Sequence, residues 1–76
     1  MNRVQREAFK ELLREEGYPS ALDWLQDHFD EIPQLGICSN CGHTDWTCDP
    51  DTRLELCPDC NRPDTFSSVL ILLGII

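Results

Sequence analysis

Positive charge is scarce in this sequence. Six lysines and arginines face fourteen aspartates and glutamates, a formal net charge of −8 at neutral pH. The deficit is not uniform. Residues 1–16 balance Arg3, Arg6, Lys10 and Arg14 against Glu7, Glu11, Glu15 and Glu16. Beyond them, Asp23, Asp27, Asp30, Glu31, Asp45, Asp49, Asp51, Glu55, Asp59 and Asp64 meet only Arg53 and Arg62. Proteins that grip nucleic acid need a basic footprint to release counterions from phosphates. The sequence has none, so direct nucleic-acid binding is not expected.

Long apolar runs are missing as well. The longest, Val69 to Ile76, is about half of the roughly 20 residues needed to span a bilayer, and Gly74 interrupts it. The opening stretch MNRVQREAFKELLREE is charged and holds no apolar leader core. The expected location is cytoplasmic, with no membrane contact. Length is the third shortage. A chain of 76 residues makes one domain. Below roughly 70–80 residues, natural domains usually add disulfides, a metal or a partner chain. Five cysteines point to such a staple. Their odd number and the expected reducing compartment favour metal over a disulfide framework.

Two amphipathic segments open the chain. Asn2 can cap a helix from Arg3 to about Glu16, with Val4, Ala8, Phe9, Leu12 and Leu13 forming an apolar stripe. Gly17 suits the left-handed position that ends it. A second helix should begin at Ser20, where Ser20-Ala21-Leu22-Asp23 resembles a capping box. Leu22, Leu25, Phe29 and Ile32 form its expected buried stripe, flanked by Trp24 and His28, and Pro33 stops it. The short connection through Gly17–Pro19 implies a helical hairpin.

The chemistry is concentrated in four cysteines. Cys38-Ser-Asn-Cys41 and Cys57-Pro-Asp-Cys60 are separated by fifteen residues. Two residues between cysteines form a turn that aims both sulfurs at one ion, and two such knuckles complete a tetrahedron. The residue after each knuckle commonly needs a positive φ, which Gly42 and Asn61 tolerate. Asp45–Cys48 and Arg53–Leu56 read as two short strands joined by the turn Asp49-Pro50-Asp51-Thr52. From Thr65 onward, β-branched residues favour a third strand, although Ser67 or Ser68 could cap a terminal helix.

From Ile37 to about Leu72, on CSNCG and CPDCN, the chain resembles the zinc-ribbon superfamily. More loosely, the whole chain is similar to short zinc-ribbon proteins of bacteriophages and prophages that end in an apolar tail like VLILLGII. Asn61 departs from the commoner glycine and suggests a modified second knuckle. The resemblance implies one structural Zn²⁺ held by Cys38, Cys41, Cys57 and Cys60. The expected fold is α+β: a helical hairpin of residues 1–33 packed on a four-cysteine zinc ribbon of residues 34–76, forming one unit.

Function is expected to be binding. A closed site of four cysteines keeps no open position for activating water, and no nucleophile–histidine–acid signature is present. The expectation is therefore not an enzyme. Two redox dithiols are the alternative use of the cysteines. Cys48 reads as a small packing residue and His43 as a loop residue, with extra ligation as a second reading. Asp23, Asp27, Asp30, Glu31, Asp49, Asp51 and Glu55 read as solvated surface or as a negative face for a basic protein partner. Trp24, Trp46 and Tyr18 are candidate anchors for that partner, or else core. The apolar tail either fills the core or forms an edge through which the chain makes a homodimer.

Overall fold

Asn2 starts the first helix as expected. In the computed structural model, which describes residues 1–75, helix α1 spans Arg3–Glu16. The Asn2 side chain accepts from the Gln5 amide at 2.9 Å, and the Gln5 side chain accepts from the Asn2 amide at 3.0 Å. This capping box satisfies two helix-end donors. Gly17 ends the helix with φ 79°. Helix α2 spans Ala21–His28, capped by Ser20. Three strands follow, β1 (Gln34–Cys38), β2 (Thr44–Cys48) and β3 (Phe66–Ser68), and then a short helix α3 (Val69–Leu72). Ile76, the last residue of the apolar tail, lies outside the described residues.

The strands form an antiparallel sheet in the order β2-β1-β3. Ile37 pairs with Thr44 on one side and Ser67 on the other, with an irregularity between Gln34 and Gly36. Every residue of β1 is buried. Its alternation divides two clusters. Leu35 and Ile37 join Phe9, Trp24, Val69 and Leu70 in a helical core. Cys38 joins Cys48, Cys57 and Phe66 in a second cluster at the knuckles. Gly36 lies on that second side, where a Cβ would collide with Cys48 Sγ and come within 2.5 Å of the Phe66 ring.

Two expectations are corrected. The sheet hairpin is β1–β2, folded across the first knuckle, rather than a pair of strands between the knuckles. Arg53–Leu56 is no strand. Leu54 has φ 53°, which breaks an extended run, and only Glu55 bridges to Phe66. Second, α2 ends at His28, before Ile32 and Pro33, and is rotated from its expected setting. Leu22, Phe29 and Ile32 are 64%, 54% and 76% exposed, whereas Trp24 is fully buried. The indole fits edge-on to Phe9 at 5.2 Å and lies near His28 and Trp46 at 4.8 and 5.9 Å. Burying this larger apolar surface outweighs burying the leucine stripe. Trp24 is therefore core, and is no surface anchor. Residues 66–72 combine the two readings left open for them, a strand and then a helix: Ser68 ends β3 and its hydroxyl accepts from the Leu70 amide at 3.1 Å.

Candidate metal centre

The first knuckle turns between β1 and β2. The Cys38 sulfur accepts from the amides of Asn40 and Cys41 at 3.3 and 3.4 Å. The Gly42 amide donates to the Cys38 carbonyl at 3.2 Å, and the Cys38 amide to the His43 carbonyl at 2.9 Å. The second knuckle repeats this wiring. The Cys57 sulfur accepts from Asp59 and Cys60 amides at 3.4 and 3.5 Å. Asn61 donates to the Cys57 carbonyl at 3.0 Å, and Cys57 to the Arg62 carbonyl at 3.2 Å. Gly42 and Asn61 both have positive φ, 76° and 58°. The turn chemistry expected from the sequence is present in both knuckles, including the one with asparagine in place of glycine.

The knuckles face one another. All four sulfurs lie within 4.8 Å of each other. Cys38 Sγ is 3.7 Å from Cys60 Sγ, and Cys41 Sγ is 3.7 Å from Cys57 Sγ. A tetrahedral ion with metal–sulfur bonds of about 2.3 Å sets sulfur–sulfur edges of about 3.8 Å. A disulfide would need about 2.05 Å. The sulfurs therefore fit the corners of one metal-sized tetrahedron. The four residues could hold one metal ion, and a four-thiolate donor set suits a soft or borderline cation.

Electrostatics point the same way. Burial opposes ionisation of Cys38, but the Cys41 amide, the Thr65 hydroxyl and the Asn40 amide outweigh it and bring the thiol down to about 6. Cys41 is pushed up to about 12, first by desolvation and then by the sulfurs of Cys38, Cys60 and Cys57 around it. Four crowded sulfurs cannot all carry charge without a cation between them. A divalent ion supplies that charge and releases the protons.

Neighbouring side chains brace the site. Asn40 Nδ2 approaches Cys60 Sγ at 3.7 Å and links the two knuckles. Asn2 Nδ2 donates to the Ser39 carbonyl at 2.9 Å, and buried Gln5 donates to the Ile37 carbonyl at 3.1 Å. The sequence marks Asn2 only as a cap and does not single out Gln5 or Asn40. A polar side chain at a helix start has a local use, and nothing local reveals a second bond across the fold.

Among the described residues, Cys48 and His43 stand outside the four-sulfur group. Cys48 is buried beside Phe66. His43 faces Asp45 at 3.3 Å. Asp23, Asp27, Asp30, Glu31, Asp49, Asp51 and Glu55 are exposed. Asp27 accepts from the Tyr18 hydroxyl at 2.9 Å, and Glu31 contacts His28 Nδ1 at 2.9 Å.

Fold and site together define a small α+β chain with a cysteine cluster suited to one metal ion. No protein-family model, curated protein or solved structure matches it. No described helix is long and apolar enough to cross a membrane.

Proposed function

We propose that the chain is a non-enzymatic zinc-ribbon module whose acidic surface binds a basic partner protein. Support for its architecture comes from one observation: four sulfurs from two equivalent turns within 4.8 Å. Zinc is the ion this all-thiolate tetrahedral set favours, and its role is structural, because four protein ligands leave no position for substrate or water. Convergence on a single point favours metal binding over two independent dithiols. The resemblance to phage and prophage zinc-ribbon proteins suggests an accessory protein that modulates a host or viral protein. In its sharpest form, the acidic face occupies a partner surface that otherwise holds nucleic acid. Charge of −8 with exposed carboxylates supports such docking by speeding encounter and selecting cationic partners.

The assembly alternative, a homodimer through the apolar tail, draws less support. Val69 and Leu70 are buried in the helical core and are committed to the monomer. Two measurements test the main reading. Protein purified without added zinc should carry one zinc per chain, whereas disulfide-exchange activity from a metal-free chain would favour the dithiol alternative. Affinity capture from the native host at two salt concentrations, with identification by mass spectrometry, should return a basic protein whose retention falls as salt rises. Salt-insensitive self-association would favour assembly, and tight DNA or RNA binding at physiological salt would overturn the charge reading.

A further inference from the structure

We propose that the outward face of α2 is a docking surface for a basic amphipathic helix of a partner protein. The proposal rests on reading the chain as an interaction module, and it supplies the face and the partner's chemistry. The rotation of α2 that buries Trp24 leaves Leu22 and Phe29 in solvent, and Ile32, beyond the helix end, is exposed as well. A helix turns about 100° per residue, so Leu22 and Phe29, seven apart, stand within about 20° of each other on one side. Half-buried Leu25 continues this apolar row toward the core. Asp23 lies about 100° around the helix from Leu22, and Asp30 follows Phe29 in the turn just beyond the helix end; both are exposed. The surface is thus an apolar face with exposed carboxylates at its flank and end.

No lysine or arginine occurs between Glu15 and Thr52. Among the described residues, no lysine or arginine pairs with Asp23, Asp27, Asp30 or Glu31. The complementary object has apolar side chains recurring at helical spacing with lysine or arginine along one flank, which is a basic amphipathic helix. A second copy of α2 fits poorly, because self-pairing brings the Asp23 and Asp30 carboxylates together. An anionic lipid surface would repel the same carboxylates.

The experiment uses the full zinc-loaded chain and a synthetic leucine–lysine amphipathic peptide of about four turns. Two control peptides replace every lysine with glutamate or every leucine with serine. Fluorescence anisotropy should show that only the leucine–lysine peptide binds. Leu22→Ser combined with Phe29→Ser should weaken it at least about tenfold, and Asp23→Asn combined with Asp30→Asn should weaken it and flatten its salt dependence. Both variants should keep the wild-type circular dichroism and zinc content, because the changed side chains already lie in solvent. Equal binding by the serine-substituted peptide, or unchanged binding to the Leu22/Phe29 variant, would place docking elsewhere on the acidic surface. That overturns this inference and leaves the interaction-module reading standing. No binding by any basic peptide overturns the inference too, while the host capture experiment decides the broader reading separately. Dimerisation of the chain alone, or adhesion to phosphatidylserine vesicles, abolished by the Leu22/Phe29 changes would assign the face to those occupants and overturn the proposal.

Discussion

The two sides of strand β1 are held together by different physics. On one side, Phe9, Trp24, Leu35, Ile37, Val69 and Leu70 exclude water by bulk. On the other, Phe66 is the one large buried side chain among three buried cysteines. A helical core of this kind can stabilise itself through area removed from water. The knuckle side has too little apolar surface to do so, and substitutes hydrogen-bonded turns converging on a candidate metal site. Both sides share β1, so disturbing one is expected to disturb the other. The aromatic side supplies a floor, and the cysteine side fixes the ends of the strands that make that floor.

Removing the proposed metal should break this partnership most severely. Structural zinc in small domains supplies on the order of 10 kcal/mol of folding free energy, comparable with the whole stability of a domain. Chelation or Cys57→Ser should therefore abolish cooperative unfolding and the near-ultraviolet dichroism of Trp24 and Trp46 together. If the tryptophan signal survives in the metal-free chain, the two sides are independent. Phe9→Ala comes next. It empties the space against the Trp24 ring and should cost about 3 kcal/mol, read as a lower urea midpoint with one metal still bound.

Gly36→Ala tests the close approach at the boundary. The new methyl group meets Cys48 Sγ and the Phe66 ring, so a loss of about 1–3 kcal/mol is expected from overpacking. A neutral result would mean that the cysteine side yields more readily than its packing implies. The smallest effect concerns pH. Burial pushes the Cys48 thiol from 9.0 up to about 11. Above the ordinary value the unfolded chain loses this proton while the folded chain keeps it, so stability falls with rising pH until the folded thiol also ionises. Urea midpoints measured from pH 9 to 11 should fall less steeply for Cys48→Ala than for the parent. Equal slopes would show that Cys48 is not the titrating group.

The difference between the sides also separates what was legible in the sequence from what was not. The knuckles are local: two residues between sulfurs, then Gly42 or Asn61, specify a turn with little help from the rest of the chain. The caps at Asn2, Ser20 and Gly17 are equally local. The setting of α2 is not. Leu22–Leu25–Phe29–Ile32 and Trp24–His28 are both plausible helical stripes, and only the shape of the space beside Phe9 decides between them. Strand pairing failed for a related reason. β1 contains a glycine and a cysteine in place of a continuous β-branched run, and its partners become apparent only in register. Leu54 carries no local sign of its left-handed backbone.

The alternation along Gln34–Cys38 makes this short segment the reading frame of the molecule. Inserting or deleting one residue before Cys38 would turn each displaced side chain to the opposite face, exchanging Leu35 and Ile37 for Gly36 and Cys38. An aliphatic group would then be forced among sulfurs while a hole opened beneath the aromatic rings. Drift in loop lengths is tolerable elsewhere, but the length of this strand is not negotiable.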